Sequence, residues 1–262
     1  MSRNIRRGPP EVLEHDGVVI DRYRPVVEGP DRPPIVIVHG TMDRAAGFRR
    51  TIGHLPDREV LAYDRRGYAR SGERPVASRL TDHLEDLAVV LSLVEEPALL
   101  VGHSLGGVIA LWALATPPLE HDVLGAVIWE APMAWEPWYE PKGSDLMSLP
   151  ESEAAESFMR RMIGDPLWER LPESMRNQRR AEGAALQADL RHSAAAESVV
   201  RFDRISAPVL IGYGSRSSDN HRRSAITMAE SLNDARVVEI DGADHGIHLS
   251  KPATFAAFIE SW

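Results

Sequence analysis

The chain of 262 residues contains no cysteine. This absence excludes disulfide bonds, thiolate metal sites and a cysteine nucleophile. The chain also has no run of about 20 apolar residues, the length that a membrane-spanning helix needs. No apolar segment follows its basic first ten residues, as a secretory signal would require. Together these absences predict a cytoplasmic protein without a membrane span.

Basic residues are fewer than acidic ones, since 30 Lys and Arg against 39 Asp and Glu give a formal net charge of −9. A polyanion such as nucleic acid is therefore an unfavourable partner. Several arginines do lie between residues 160 and 180, but glutamates alternate with them, which is typical of a solvated helix face. We expect a small-molecule partner and no nucleic-acid binding, and the sequence does not indicate an oligomeric state.

What the chain does contain is the composition of an ordinary globular protein, 43% hydrophobic and 26% charged. Apolar strand-like runs alternate with helical patterns, which is typical of a mostly parallel sheet with helices on both faces. An α/β fold is therefore predicted, with an amphipathic helix over residues 80–94 and a terminal helix over 253–262. The predicted strands are 18–23, 35–39, 60–63, 98–102, 123–129, 209–213 and 236–240.

One long segment interrupts the alternation. From about residue 133 to residue 204 the pattern is helical and no convincing strand occurs. Residues 148–151 fit a capping box that opens one helix, and a second helix is expected over 172–190. We therefore predict a core domain formed by residues 1–132 and 205–262, with residues 133–204 inserted as a helical cap over the carboxyl edge of the sheet.

Four of the six tryptophans and five of the eight methionines lie in or beside this predicted cap. Adaptable methionines and large aromatics suit an apolar substrate pocket, but a small helical layer needs the same residues for its own core. Both interpretations remain open for each residue. The candidates for lining a pocket are Met133, Trp135, Met159, Met162 and Trp168.

The sharpest local motif is Gly-His-Ser-Leu-Gly at residues 102–106, between a predicted strand and a predicted helix. A serine in so tight a strand-to-helix turn leaves no room for side chains at the flanking positions, which explains Gly102 and Gly106. The same turn directs the next backbone N–H and the helix N-terminus toward a developing negative charge. Ser104 is therefore the candidate nucleophile.

Three further segments carry a resemblance to a known family. They are His-Gly at 39–40, Asp-Arg-Arg-Gly-Tyr-Ala-Arg-Ser-Gly at 64–72, and Gly-Ala-Asp-His at 242–245. With the serine motif, they make the chain resemble the α/β-hydrolase superfamily over essentially its whole length. Ala69 and Asp244 stand where the family usually has glycine. The resemblance implies the α/β-hydrolase fold and a Ser-His-acid triad, without identifying a subfamily.

A serine hydroxyl needs a base within hydrogen-bond reach. His245 follows the last predicted strand, where the order serine, acid, histidine places the base, and we favour it over His248. His248 is expected to begin the final helix and pack there. His103 must point away from Ser104, His39 is structural by the family resemblance, and the remaining histidines are expected to be solvated.

The acid has two candidates. The family position after the strand at 209–213 has Ser217 where aspartate is commonest, and Asp219 comes two residues later, where it could equally cap a helix. The other family position is the end of the preceding strand, which Glu130 occupies. A carboxylate at a buried strand end must be paired. The alternative to a catalytic role for Glu130 is a structural salt bridge at the cap hinge. We favour Glu130.

The oxyanion hole is expected to use two backbone N–H groups. One is that of Leu105, and the other comes from the loop after residues 39–40, where the resemblance favours Thr41 and then Met42. Histidine and carboxylate residues do not cluster in the sequence at metal-ligand spacing, so we expect no metal and no organic cofactor.

These residues predict a serine hydrolase that cleaves a carboxylic ester, or a related acyl bond, of a small and partly apolar molecule through an acyl-enzyme on Ser104. Thioester cleavage, C–C bond hydrolysis and peracid formation use the same set of residues and remain open. The alternative from another class is a ligand-binding or sensor protein on the same fold, with slow turnover or none.

Overall fold

An eight-stranded sheet lies at the centre of the computed structural model, which describes residues 7–30, 32–140, 143–195 and 199–262. Its order is β1-β2-β4-β3-β5-β6-β7-β8. Strands β1 and β2, and β2 and β4, are antiparallel, and the other neighbours are parallel. The strands are β1 Glu11–His15, β2 Val18–Tyr23, β3 Ile35–Val38, β4 Val60–Tyr63, β5 Ala98–His103, β6 Val123–Trp129, β7 Val209–Gly214 and β8 Ala235–Ile240.

Ten α-helices occur in the described part of the chain. They are α1 Arg49–Ile52, α2 Thr81–Leu91, α3 Leu105–Leu114, α4 Glu151–Ile163, α5 Asp165–Arg170, α6 Glu173–Ala181, α7 Gly183–Ser193, α8 Asp219–Ser231, α9 Ile247–Ser250 and α10 Pro252–Glu260. None of the helices in the described ranges is both long and apolar enough to cross a membrane.

The central strands form where apolar residues run without interruption. Every residue of β3, β4 and β5 is buried, because helices cover both faces of a parallel sheet. All seven predicted strands are present, and the predicted α/β architecture is confirmed. The prediction missed β1, whose residues are mostly exposed at the sheet edge, so that no buried face marks them in the sequence.

The alternation of side chains along each strand divides the core into two layers. Val36 and Val38 belong to one layer, which α2, α3 and α8 cover, while Ile35 and Ile37 belong to the other, with α1 and α10. The carboxyl ends of the parallel strands are thereby held at one edge of a rigid sheet.

A helical segment, α4 to α7, connects β6 to β7 and has an apolar cluster of its own. That cluster also includes Met42 and Tyr68, from the loops after β3 and β4, so the segment packs directly on the sheet domain. The assignment of residues 133–204 as a separate cap remains a prediction.

Two local predictions in this segment are wrong. The helix expected over 172–190 is two helices, α6 and α7, because the chain bends at Glu182. Helix α7 begins at Gly183, which lies against α4. A Cβ atom on this glycine would lie 1.9 Å from the Glu151 carbonyl oxygen. The capping box does not form either. The Ser148 hydroxyl donates to the Asp145 carbonyl, and Pro150 is the N-cap of α4.

Candidate active site

The carboxyl ends of β5 and β6 bring two of the predicted site residues side by side. His103 pairs with Trp129 in the register of these strands, so Ser104 and Glu130 both follow the last paired position. The Ser104 N–H donates to the Trp129 carbonyl at 2.8 Å. The edge formed by the carboxyl ends of parallel strands is the usual location of sites in α/β sheets.

Ser104 occupies a strained turn. Its backbone has φ 54° and ψ −126°, a conformation that costs a residue with a side chain about 1–3 kcal/mol and that is often associated with function. The glycines make the turn possible, because a Cβ atom on Gly106 would lie 2.0 Å from the Val38 carbonyl oxygen and one on Gly102 would lie 2.5 Å from the Gly107 Cα. The sequence motif thus forms the sharp strand-to-helix turn.

Glu130 is completely buried and contacts His245. Its Oε2 lies 2.9 Å from Nδ1 of His245, which leaves Nε2 of that imidazole available to another group. Burial by itself would raise the pKa of Glu130, but hydrogen bonds from His221 and His245 outweigh it and hold the pKa well below its ordinary value. The carboxyl group is therefore ionised at neutral pH.

The other oxygen of Glu130 is held by the loop after β7. Oε1 accepts a hydrogen bond from the Gly214 N–H at 3.0 Å and another from the Ser217 hydroxyl. Ser217, at the position where the resembled family commonly has its aspartate, thus contacts the acid on the neighbouring strand. The alternative acid, Asp219, is exposed as the first residue of α8, and Ser218 is the N-cap of that helix.

His221 was not predicted as part of this site. Its Nδ1 lies 3.0 Å from Oε2 of Glu130. Its ring stacks on that of His245, with centroids 4.5 Å apart and planes at 10°. The expectation that the remaining histidines are solvated is wrong for His221, and also for His83 and His192, which are buried. The usable sequence clue is that His221 lies in the first turn of the helix that follows Ser217.

Burial lowers the pKa of His245 below its ordinary value. The hydrogen bond to Glu130 opposes this effect, while electrostatic interactions with His221 and His248 add to it. The imidazole is consequently neutral near pH 7, the state in which it can accept a proton.

The predicted oxyanion donors come from the start of α3 and from the loop after β3. Leu105 is the first residue of α3, a position where a backbone N–H has no acceptor within the helix. Thr41 and Met42 lie in a turn closed by the Asp43 N–H on the Gly40 carbonyl at 3.3 Å, with Met42 at φ 57°. Gly40 must lack a side chain, because a Cβ atom there would lie 2.8 Å from the Cβ of Ser104.

Three other histidines surround the site. His39 accepts a hydrogen bond from the Arg65 N–H at 2.9 Å, and burial, followed by the charge of Arg65, lowers its pKa to about 4. Nε2 of His103 lies 2.7 Å from the carbonyl oxygen of His245. His248 does not begin the final helix as expected; it lies buried in the separate short helix α9 and stacks on Phe48 at 4.5 Å.

The five residues predicted to line a pocket are not gathered in one place: they lie in the sheet core, in the core of the helical segment and at the surface. Met133 is buried in the core layer under α3 and α8, with Trp135 packed against it at the margin, while Met159 and Trp168 are buried in the cluster of the helical segment. Met162 is 49% exposed. Met159 and Trp168 thus pack within the helical segment and Met162 lies at its surface, while the assignment of all five residues to a substrate pocket stays a prediction.

Within the described residues, two groups of side chains could each hold a metal ion: Glu130, His221 and His245, and a second group of Asp43, His103 and His248. Neither group was visible in the sequence, because their members come from different loops that only the fold brings together.

Comparison with known proteins agrees with this architecture. A 2-(acetamidomethylene)succinate hydrolase of Mesorhizobium japonicum is 24% identical over 240 residues, which cover 84% of each chain. A probable serine hydrolase of Drosophila melanogaster is 29% identical over 99 residues, 36% of this chain and only 30% of that protein. The solved structure of an alpha/beta hydrolase from Sphaerobacter thermophilus shares the fold, with a TM-score of 0.71 and 22% identity over 95% of this chain and 99% of that one.

A family model also matches most of the chain. The model of the alpha/beta hydrolase family matches residues 35–258, which include the strand ends, the serine turn and the histidine loop described above. The fold that the motifs predicted is therefore confirmed, and the chain belongs to the alpha/beta hydrolase family.

Proposed function

We propose that this hydrolase cleaves a carboxylic ester of a small, partly apolar molecule through an acyl-enzyme on Ser104. The observation that carries the proposal is the 2.9 Å contact between Glu130 and His245 beside a serine in a strained turn. A buried carboxylate that fixes the tautomer of an imidazole serves general-base chemistry. Ser104 and Glu130 follow neighbouring paired strands, so the serine lies at the same edge of the sheet.

In the proposed reaction, Ser104 Oγ attacks the acyl carbon and its proton passes to Nε2 of His245. The N–H groups of Leu105 and Thr41, or Met42 in place of Thr41, stabilise the negative oxygen of the tetrahedral intermediate. His245 then gives the proton to the leaving alcohol. A water molecule then attacks the acyl-enzyme and loses its proton to His245. His245 returns this proton to Ser104 Oγ as that oxygen departs, which releases the carboxylic acid and restores the enzyme.

Glu130 has two tasks in this scheme. It holds the Nδ1–H tautomer of His245, which aims the Nε2 lone pair outward, and it stabilises the imidazolium formed in each half-reaction. Because its other oxygen is held by Gly214 and Ser217, the carboxylate cannot turn away from His245. This placement supports Glu130 as the acid over Asp219.

The substrate class rests on the chemistry of the nucleophile and on the tryptophans and methionines concentrated in and beside the helical segment. The names of the relatives include a probable serine hydrolase and a 2-(acetamidomethylene)succinate hydrolase, so acyl transfer to water is consistent with both. Thioesters, C–C bonds next to a carbonyl and peracid formation remain alternatives within the same mechanism. A non-catalytic sensor is the alternative from another class, and the paired Glu130 and His245 argue against it.

The test is to label the folded protein with a fluorophosphonate probe and to measure hydrolysis of p-nitrophenyl esters of increasing acyl length. The wild-type protein should be labelled at Ser104 and turn over the short esters, while Ser104→Ala should lose both properties with little change in melting temperature. Ser250→Ala, at an exposed serine at the end of α9, is the matched control and should keep both. Turnover that survives in Ser104→Ala would exclude Ser104 as the nucleophile.

A further inference from the structure

A second cluster of titratable side chains lies behind the serine turn, and the proposed hydrolysis does not use it. One nitrogen each of His103 and His248 and one carboxylate oxygen of Asp43 all lie within 4.8 Å of one another. The two rings are 4.4 Å apart between centroids, and both histidines are at least nine-tenths buried. The cluster joins the loop after β3, the last residue of β5 and the helix α9.

Four polar atoms of this cluster lack hydrogen-bond partners. Among the described residues, Oδ2 of Asp43, Nδ1 of His103 and both ring nitrogens of His248 are buried and unpaired. Nε2 of His248 lies 3.0 Å from Oδ2 of Asp43, but the two are not aligned as a hydrogen bond. Buried polar atoms are rarely left unpaired, so four in one place call for a ligand that satisfies them together.

The tautomer of His103 can be deduced from its contacts. Its Nε2 lies 2.7 Å from the carbonyl oxygen of His245, and because a carbonyl oxygen only accepts, Nε2 carries the hydrogen. Nδ1 is then a bare lone pair in a buried position. A histidine that donates one ring N–H to a carbonyl and presents the other nitrogen unprotonated is arranged as metal-ligating histidines are.

Asp43, like His103, has one polar atom fixed by a backbone group and the other left without a partner. Its Oδ1 accepts a hydrogen bond from the Arg44 N–H at 2.8 Å, which fixes the carboxylate and leaves Oδ2 for a further partner. Two ligands about 2.0 Å from one tetrahedral ion lie about 3.3 Å from each other. The 3.0 Å separation of Oδ2 and His248 Nε2 is close to that value.

We propose that Asp43, His103 and His248 bind one Zn²⁺ ion, through Oδ2, Nδ1 and Nε2 respectively. Two imidazoles and one carboxylate are a donor set that zinc accepts, and they fill three of its four tetrahedral positions. The ion would fasten together three segments that carry the proposed catalytic groups, since Asp43 follows the oxyanion loop, His103 precedes Ser104 and His248 is three residues after His245. The competing explanation is an ion pair between a protonated His248 and Asp43.

The proposal is tested with Zn²⁺ alone, added to the chelator-treated full chain and followed by isothermal titration calorimetry, and with Co²⁺ followed by its visible absorption. We expect one equivalent of Zn²⁺ and the intense Co²⁺ bands of a four-coordinate site. Asp43→Asn and His248→Gln should each weaken Zn²⁺ binding by about tenfold or more, since even indirect partners of a metal contribute that much. Repeating the titration on Ser104→Ala separates metal binding from turnover.

Two control variants locate the ion. His54→Gln changes an exposed histidine and should bind Zn²⁺ as the wild type does. His221→Asn changes the second group, with Glu130 and His245, and should also leave Zn²⁺ binding unchanged. A loss of binding in His221→Asn together with its retention in Asp43→Asn and His248→Gln would move the ion to Glu130 and overturn the proposal.

Measurements on the wild-type protein alone also test whether the zinc site exists. If it binds no Zn²⁺, or if bound Co²⁺ shows only the weak bands of a six-coordinate ion, the site does not exist as proposed. This outcome holds even if Asp43→Asn or His248→Gln fails to fold, which circular dichroism would show. A loss of binding in His54→Gln would mean surface histidines hold an adventitious ion.

Discussion

The hydroxyl of Thr41 donates a hydrogen bond to Oδ2 of Asp189 at 3.0 Å. This contact joins the loop that is proposed to hold an oxyanion to helix α7 of the helical segment. The same carboxylate accepts hydrogen bonds from the Arg65 guanidinium at 2.7 and 3.2 Å and from the Tyr68 hydroxyl at 2.7 Å. Asp189 is thus the buried point at which the helical segment and the oxyanion loop are fastened together.

Replacing Asp189 with Asn should therefore affect both stability and turnover. The change leaves the buried Arg65 guanidinium without its counter-charge, so we expect a loss of about 3–5 kcal/mol in the free energy of unfolding. We also expect a lower kcat/KM, because Thr41 loses its anchor. Urea denaturation and ester hydrolysis measure the two effects. Thr41→Val removes only one hydrogen bond and should cost about 1–2 kcal/mol. Equal losses in the two variants would contradict the central role of Asp189.

The pH dependence of stability offers a related test. Burial raises the pKa of Asp189, but the charge of Arg65 and the contact with His83 hold it far below its ordinary value. A depressed folded-state pKa contributes stability that is complete above the unfolded value of about 4 and is lost as the pH falls below it. Asp189→Asn should therefore have a flatter stability profile below pH about 4 than the wild type. Parallel profiles would show that Asp189 is not ionised in the folded protein.

Replacing each of the two candidate acids by its amide, one at a time, should show which of them supports the base. Glu130→Gln keeps the shape of the side chain but removes the charge that stabilises the imidazolium, so we expect kcat to fall by about 10³- to 10⁴-fold. Asp219→Asn, at the exposed start of α8, should change kcat by less than about twofold, the range of a surface substitution. A larger loss in Asp219→Asn would transfer the acid to the loop after β7.

His221 should influence the pH at which the base works. A protonated His221 disfavours the protonated form of His245 and so lowers its pKa. The pKa of His245 should consequently rise in His221→Asn, and the acid limb of the kcat/KM profile should move to higher pH. His121→Asn is the control, since His121 is exposed and outside the site. An unchanged limb, or one that moves to lower pH, would show that no charge on His221 reaches the base.

The serine turn should tolerate no side chain at Gly106. A Cβ atom there would lie 2.0 Å from a backbone carbonyl oxygen of β3, which cannot move without displacing the sheet. We expect Gly106→Ala to lose about 3 kcal/mol or more of stability, at the upper end of overpacking effects, and to lose fluorophosphonate labelling. Gly8→Ala, where nothing lies within 4 Å, is the matched control. Normal labelling of Gly106→Ala would mean that the turn is looser than the structure shows.

Much of the fold could be predicted because the information is local. Buried parallel strands require uninterrupted apolar runs, so β3 and β7 are visible in the sequence, as is the turn at residues 102–106, whose glycines follow from its geometry. Edge strand β1 lacks that feature because solvent, and not packing, surrounds most of its side chains.

The contacts that were not predicted depend on residues far apart in the chain. His221 meets Glu130 across 91 residues, and Thr41 meets Asp189 across 148. In the sequence, Asp189 cannot be told from the solvated carboxylates of an amphipathic helix, since only the tertiary fold places Arg65 and Tyr68 against it. Motifs therefore located the proposed nucleophile and base, whereas the charges that tune them became visible only in three dimensions.

The helical segment leaves the sheet after β6 and returns at β7, two strands that are hydrogen-bonded neighbours. Because these strands are parallel, the segment leaves at the carboxyl end of β6 and returns at the amino end of β7, where Val209 pairs with Ala126. It therefore spans about three residues along the strands, roughly 10 Å, besides the step to the neighbouring strand. A segment inserted between adjacent strands can lengthen, shrink or be exchanged for another without altering the order of the sheet. We therefore expect that the segment can be exchanged while the residues at the strand ends stay as they are. A transplanted segment would have to reproduce the contacts of Asp189, those of Glu182 with the Arg44 guanidinium at 2.9 Å and the Ala69 N–H at 3.0 Å, and the apolar packing on Met42 and Tyr68.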